Sequence, residues 1–503
     1  MTTLVEGSPE TYRVAAGPEP GGSAGELRQR ILERTAVVAV VGLGYVGLPL
    51  AVAYAEAGFR VVGLDVDARR VATLNRGESP IADIDSGRLA ALVGRRSPAE
   101  LTVGGAVARA VDDAAPAGPG RPTITAAPAA TGIGTVSGSF QATTDFDVIA
   151  GVDAVIICVP TPLGRAKEPD LTYIVEAVDQ VARRAHPGML VVLESTTYPG
   201  TTEDVVVPAL TRVDQDGRPL VVGRDVFIAF SPERIDPGRE DWTVATTPKV
   251  VGGFTPSCLE VARALYQTAV QRVVPVSHVR TAEMVKLLEN TFRATNIALI
   301  NEMAVVCGRL GIDVWEVIDA AKTKPFGFMP FYPGPGLGGH CIPIDPEYLA
   351  WKMRTLNFHT RFISLASEIN QAMPGHVVSR VSDALNSHGR AVRGARVLIL
   401  GVAYKADVND VRESPSLELL RLLGEKGADV SYHDPLVPSL NLDGRTMTSV
   451  ALRDTLDLVD CVVIATAHSS YDWQEVVDAS RCVVDTRNAT QHVVAPAGRV
   501  VKL

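Results

Sequence analysis

Short apolar runs recur in two parts of the chain, and a stretch of helical spacing separates them. Val37–Val41, Arg60–Leu64, Ala154–Val159, Leu190–Leu193 and Val226–Phe230 predict buried strands, and the intervals between them suit crossover helices. That pattern predicts an α/β domain with a largely parallel sheet. From about 241 to 388 the spacing turns helical. Thr281–Leu310 carries Met284, Leu287, Leu288, Phe292, Ile297 and Ile300 at helical intervals, over roughly eight turns. A helix of that length is expected to span domains or to form a dimer seam. A Gly/Pro-rich loop, Pro325–Pro346, interrupts the helical region.

Residues 395–503 return to short apolar runs and weakly repeat the first part. RVLILGVAYK echoes VVAVVGLGYVG, ADVSYHDP echoes FRVVGLDVD, and VDCVVIATAH echoes VDAVIICVP. The expected architecture is two Rossmann-like parallel-sheet domains flanking a central helical domain. The expected divisions are an N-terminal extension at 1–34 and a first sheet domain at 35–240. A helical, dimer-forming middle follows at 241–388, and a second sheet domain at 389–503. Ala24–Thr35 predicts a short charged helix. Residues 95–140 read as an insertion, because Ala114–Gly138 is almost entirely Ala, Pro and Gly with Arg121 its only charge.

Composition narrows the classes. The 503 residues hold 48 Lys+Arg against 57 Asp+Glu, a formal net charge of −9, which argues against a nucleic-acid binder. Hydrophobic residues at 46% and charged residues at 21% are ordinary for a soluble globular chain. Six cysteines stand singly, without metal-ligand spacing, as expected of reduced cytosolic thiols. The polar N-terminus lacks a signal-peptide core. Ala36–Ala55 is nearly uncharged, but its glycines fit a strand, turn and helix better than a membrane span. No membrane or metal partner is expected.

Four motifs carry chemistry. Gly42-Leu43-Gly44-Tyr45-Val46-Gly47 follows one strand and opens a helix, and Asp65 ends the next strand, as in the dinucleotide fingerprint. Gly42 makes the turn, Gly44 lets the pyrophosphate approach, and Gly47 lets helix pack on strand. Asp65 at the ribose favours NAD over NADP, with Arg69 and Arg70 close enough to temper that preference. Cys341 stands on the loop PGPGLGGHCIPID, where backbone amides and His340 would favour a thiolate. Lys286 and Asn290 share one face of the long helix, a pair able to stabilise an oxyanion. Thr161, Glu194 and Ser231-Pro232-Glu233-Arg234 stand at strand ends, where catalytic groups belong.

In this order GLGYVG, VPTP, EST, SPER, EMVKLLEN, GGHCIPID and YKADVNDVRES resemble the nucleotide-sugar 6-dehydrogenases, the UDP-glucose/GDP-mannose dehydrogenase family, from about 36 to 490. The resemblance implies oxidation of a sugar C6 alcohol to a carboxylate with two NAD. Cys341 would carry a thiohemiacetal and then a thioester, which water hydrolyses. Lys286 and Asn290 would hold the oxyanion, and Asp345 would order or activate water with help from Thr161 and Glu194. Gly42, Gly44, Tyr45, Val46, Gly47, Asp65, Arg70, Thr161 and Arg412 would face NAD. Glu233, Arg234, Lys286, Asn290, Tyr332, Gly338 and Lys405 would face the UDP-sugar, with Lys405 at the pyrophosphate. Gly401-Val402-Ala403 replaces the glycine triad in the second sheet domain, so no second NAD site is expected there. The loop FMPFYPGPGLGGHCIPIDPEYLAWK is most similar to the UDP-N-acetylhexosamine branch, in particular UDP-N-acetylglucosamine 6-dehydrogenases. UDP-N-acetylmannosamine and UDP-glucose are the other candidate substrates. Arg234, where UDP-glucose and GDP-mannose enzymes carry Phe, is expected to donate to an N-acetyl group. A homodimer or higher homo-oligomer is expected.

Overall fold

In the computed structural model, the described residues are 22–81, 84–93, 138–164, 168–212, 218–235, 241–339, 341–496 and 498–503, together with two strands in the N-terminal stretch. Those two, Thr2–Leu4 (β1) and Arg13–Ala15 (β2), pair antiparallel. Most of the inserted stretch 95–140 lies outside the described residues, and so does His340. The predicted charged helix forms as Ser23–Leu32, burying Leu27 and Ile31. Arg30 fastens it to the first sheet domain, donating from Nη2 to Asp153 at 2.7 Å.

The first sheet contains Val37–Val41 (β3), Arg60–Leu64 (β4), Ser139–Thr143 (β5), Ala154–Ile157 (β6), Met189–Leu193 (β7), Val226–Phe230 (β8), Lys249–Gly253 (β9) and Val273–Val276 (β10). Its order is β10-β9-β8-β7-β6-β3-β4-β5, parallel throughout except where β8 meets β9. Burial on both faces explains the uninterrupted apolar runs of β6, β7 and β8. The sheet continues past residue 240, which corrects the expected domain division: helical structure takes over only at 279. Glycines masked the extra strand β9. A Cβ on Gly253 would stand 2.2 Å from the Leu259 nitrogen, so a helix, Pro256–Tyr266, crosses where only glycine fits.

The long helix runs Val279–Leu310, 32 residues, and ends at Gly311 with φ +70°. Its apolar positions occupy more than one face. Leu287 and Ile300 are buried, but Met284, Leu288 and Phe292 are exposed, as are Leu299, Val306 and Leu310. A second long helix, Arg361–Ser387, packs against it, and the two share a buried Asn301–Asn370 hydrogen bond of 2.9 Å.

The second sheet contains Arg396–Leu400 (β11), Asp429–His433 (β12), Cys461–Ile464 (β15), Val483–Asp485 (β16) and Val500–Lys502 (β17), all parallel, in the order β12-β11-β15-β16-β17. A hairpin, Ser439–Leu442 (β13) with Arg445–Thr448 (β14), stands apart from it. The second core joins this sheet to the two long helices, so the central helices and the last domain share apolar packing.

Candidate active site

The chain connections diverge between neighbouring strands β3 and β6, which opens a crevice at their carboxyl ends. The glycine loop lies there. Gly42 has φ +90°, and a Cβ on it would meet the Cys158 carbonyl at 2.6 Å. A Cβ on Gly47 would stand 1.9 Å from the Gly42 carbonyl oxygen. Nothing lies within 4 Å of a Cβ placed on Gly44, so space for a pyrophosphate exists where the motif requires it. Asp65 is buried at the end of β4. Its carboxylate accepts from Leu43 N at 3.0 Å, from Asp67 N at 2.9 Å and from Arg70 Nη1 at 2.8 Å. These residues fit a dinucleotide, with Arg70 braced on the acidic residue.

One stripe of the long helix organises the chemistry. Glu283, Lys286 and Asn290 stand at i, i+3 and i+7 and so point the same way. Glu283 is fully buried and anchors the helix to the turn after β7, accepting from Gly200 N at 2.6 Å and from Thr202 N at 2.9 Å. Lys286 donates from Nζ to the Glu233 carbonyl at 2.6 Å. Asn290 donates to the Asp345 carboxylate. Burial works against the Lys286 ammonium, but the charges of Cys341, Asp345, Glu233 and Glu289 outweigh it and hold the proton on.

The Cys341 loop is fixed by the second sheet domain. Cβ atoms on Gly338 and Gly339 would collide with Tyr404 at 2.7 and 2.9 Å, and Gly339 N donates to the Arg412 carbonyl at 3.1 Å. The Arg412 guanidinium in turn lies over the Tyr45 ring of the glycine loop, 5.6 Å from its centroid. The Cys341 carbonyl accepts from Ile344 N and Asp345 N at 3.1 and 2.8 Å, which starts the helix Asp345–Thr355. Cys341, Lys286, Asn290, Asp345 and Arg412 therefore meet in one place.

The expectation of a ready thiolate is corrected. Burial, reinforced by Asp345 and Glu233, outweighs Lys286 and Arg412 and pushes the Cys341 thiol up to about 11. Burial likewise raises the Asp345 carboxyl to about 6, against the pull of Lys286 and Asn290. A carboxylate at that value is a base suited to near-neutral pH.

Other predicted residues are placed differently from their expected roles. Glu194 does not reach for water: its carboxylate is buried and held by Lys249 Nζ at 2.9 Å and by the Tyr266 hydroxyl. Glu233 turns its carboxylate inward to Lys249 Nζ at 3.0 Å, leaving its carbonyl to face the site. Arg234 closes its fork on Glu289, with Nη2 to Oε1 at 2.6 Å, and its Nη1 donates to the Pro248 carbonyl at 2.7 Å. The expected N-acetyl donor is thus engaged within the chain. Tyr332 is half exposed and stacks on Trp315 at 6.2 Å. Thr161 lies beside the buried Tyr348 hydroxyl, which donates to the Pro162 carbonyl at 3.2 Å. Lys405 stands on the loop after β11.

Two cations escaped the sequence reading. Lys249 opens a strand, a place that carries no motif. Arg487 follows β16 in DTRN, a polar strand end like those singled out in the first sheet. Burial lowers the Arg487 guanidinium to about 10. It donates from Nε to the Ala465 carbonyl at 2.8 Å, and a Cβ on Gly334 would meet its Nη1 at 2.6 Å. Arg487 therefore carries positive charge against the Cys341 loop. A cavity of about 530 Å³ lies behind that loop, but Glu347, Glu413 and Glu418 line it and no lysine or arginine does, so it does not suit a diphosphate.

Two expected results follow from these placements. Because folded Asp345 holds its proton more tightly than the ordinary 3.8 of an exposed aspartate, its stabilising contribution is complete below about pH 4 and lost as pH rises through about 6. Asp345→Asn is expected to be more stable than the parent by up to about 3 kcal/mol at pH 8 and by nothing at pH 4, while turnover falls about 10²-fold. Urea unfolding at both pH values checks the first part, and an equal effect at both would contradict the burial argument. Arg234→Leu is expected to slow oxidation of acetylated and non-acetylated sugar nucleotides alike. A loss confined to the acetylated sugar, in paired kcat/KM measurements, would return the recognition role to Arg234.

Comparison with known proteins places this geometry. The chain matches three descriptions of one family: UDP-glucose/GDP-mannose dehydrogenase family, NAD binding domain, at residues 36–114 and 131–270; central domain, at 280–372; and UDP binding domain, at 398–492. It is 33% identical over 435 residues to UDP-N-acetyl-D-glucosamine 6-dehydrogenase of Pseudomonas aeruginosa, covering 86% of this chain and 91% of that protein. It is 32% identical over 479 residues to UDP-N-acetyl-D-mannosamine dehydrogenase of Methanococcus maripaludis, covering 93% and 96%. The solved structure of the UDP-N-acetyl-D-mannosamine dehydrogenase of Pyrococcus horikoshii superposes with TM-score 0.75 at 30% identity, covering 93% of this chain and 98% of that one. Among the described residues, no helix is long and apolar enough to cross a membrane, and no cluster of His, Cys, Asp and Glu could hold a metal ion.

Proposed function

The chain belongs to the UDP-glucose/GDP-mannose dehydrogenase family, and from that premise we propose that it oxidises the C6 alcohol of a UDP-N-acetylhexosamine to the uronic acid. The observation that carries this reading is the convergence of Cys341, Lys286, Asn290 and Asp345 on one face between the two sheet domains. Gly42, Gly44, Gly47 and Asp65 would hold NAD, which when bound would supply the hydride acceptor at both oxidation levels, the hydroxyl proton released at each going to solvent. Cys341 adds through its sulfur to the C6 aldehyde. The thiol proton passes to the new hydroxyl of the thiohemiacetal, and Lys286, which lowers the Cys341 thiol, favours the sulfur anion as it attacks. Lys286 holds the oxygen while it carries charge, and the buried ammonium is strongest where water is excluded. At the thioester, Asp345 takes a proton from water as that water attacks the carbonyl, and returns it to the Cys341 sulfur as the carbon–sulfur bond breaks. Asn290 orients the carboxylate for that role. Lys405 and Arg487 supply positive charge for the sugar nucleotide's diphosphate, Arg487 lying against the glycine-rich loop at Gly334.

UDP-N-acetylglucosamine is the leading substrate, since the nucleophile loop is most similar to that branch. UDP-N-acetylmannosamine is a second reading, supported by the relatives and the solved structure named for that sugar. NADH release from each of these and from UDP-glucose, with acid product counted, tests the proposal. Two NADH per acid from an acetylated sugar are expected. Two NADH from UDP-glucose alone would keep the chemistry and move the substrate. One NADH per product would overturn the thioester route. The exposed stripe Leu288, Phe292, Leu299 and Val306 on the long helix supports a homodimer, with a second copy covering it.

A further inference from the structure

We infer that Lys249 is a positioning residue for Lys286 and acts through the main chain of Glu233. This rests on the reading of Lys286 as the oxyanion-holding ammonium. Lys249 is 5% exposed and bridges two buried carboxylates, Glu194 at 2.9 Å and Glu233 at 3.0 Å. The Tyr266 hydroxyl donates to the other Glu194 oxygen. A buried ion cluster of this kind stabilises a fold little more than apolar packing of the same volume would, so its use is to be sought outside stability.

The contacts of Glu233 show that use. Its Oε2 is held by Lys249, and its Oε1 accepts from Arg234 N at 2.8 Å and from Ile235 N at 2.6 Å. The Glu233 carbonyl and the Arg234 N–H belong to one planar peptide unit. Fixing the N–H on Oε1 therefore fixes the direction of the carbonyl, and that carbonyl receives Lys286 Nζ at 2.6 Å. The sequence of constraint runs from Tyr266 and Glu194 to Lys249, to the Glu233 carboxylate, to the 233–234 peptide plane, and so to the ammonium. Glu194, Lys249 and Glu233 stand at the facing ends of β7, β9 and β8, so the first sheet itself sets the register. The same arrangement gives Glu194 a part in catalysis without contact with substrate or water.

The test uses the full chain with Lys249→Met and Lys249→Arg. In Lys249→Met the peptide is free to turn, and kcat is expected to fall about 10²-fold, as a misplacement near 1 Å can cause, with KM for NAD unchanged. Lys249→Arg, whose guanidinium can still bridge both carboxylates, is expected to recover most of the loss. A second readout needs no substrate. The other five cysteines are buried, so alkylation by iodoacetamide reports on Cys341. Lys286 lowers the Cys341 thiol, so its displacement is expected to slow alkylation at pH 9 severalfold in Lys249→Met and not in Lys249→Arg. Unchanged alkylation and kcat in Lys249→Met would overturn the inference, as would a kcat loss matched by an equal loss of NAD affinity. If Lys249→Met does not fold, Glu194→Gln with Lys249→Met removes one unpaired charge, and wild-type alkylation in that protein would overturn it equally. NADH release by the wild type separates the two failures: no release from any sugar nucleotide counts against the proposed reaction, while the alkylation result stands by itself.

Discussion

Cys341→Ala is expected to abolish acid formation, lowering overall turnover by on the order of 10³-fold or more, as removal of a covalent nucleophile does. The alanine variant still has the glycine loop, Asp65 and Lys286, so NAD affinity and the first oxidation are expected to persist in a single turnover. The predicted signature is one NADH per enzyme-bound sugar followed by arrest at the aldehyde level. Steady release of two NADH per acid would contradict the assignment. The wild-type thiol is expected to be quiet until substrate arrives. Burial and the neighbouring carboxylates hold it near 11, so alkylation in the free protein should accelerate as pH rises toward that value. A rate already at its plateau by pH 8 would show a thiolate and restore the reading made from sequence.

Lys286→Met is the second large effect. Methionine preserves the volume of a residue that is 8% exposed but removes the ammonium that donates to the Glu233 carbonyl. A fall in kcat of about 10²–10³ is expected, the range for losing one preorganised donor at a developing oxyanion. The loss should appear in kcat more than in KM, because the ammonium matters most when charge is on oxygen. Lys286→Arg should not rescue it, since a planar fork does not replace a compact ammonium aimed at one point. Removal of the cation also leaves Asp345 and Cys341 without their nearest positive charge, so the acid limb of the pH–rate profile should move up from about 6. A rate loss with an unmoved acid limb would separate Lys286 from Asp345.

Much of the fold was legible because its signals are local. Apolar runs named the strands β3, β4, β6, β7 and β8, and helical spacing named Thr281–Leu310 of the helix Val279–Leu310. The nucleotide loop was legible for the same reason: turn, approach and packing are each met by a glycine within six residues. Two strands were lost to the helical middle: β9 because glycines that admit a crossing helix look like a break in the pattern, and β10, VVPV, because Pro275 interrupts it. Which face of the long helix is buried was not legible, since spacing says that a stripe exists and not what covers it.

The sequence by itself determined the residue types of the site, its order along the chain, the NAD-binding loop and the pairing of Lys286 with Asn290 on one helix face. Tertiary structure decided which charged groups are free to act. Glu194 and Arg234 stand at strand ends like any catalytic residue, yet partners 55 residues away in each case hold them. Lys249 and Arg487 were not singled out in the sequence and become important only because strand pairing and a glycine loop bring them to the site. The protonation of Cys341 was decided the same way. A neighbouring amide or histidine is visible in sequence, but desolvation depends on everything packed around the sulfur, and here burial outweighs Lys286 and Arg412.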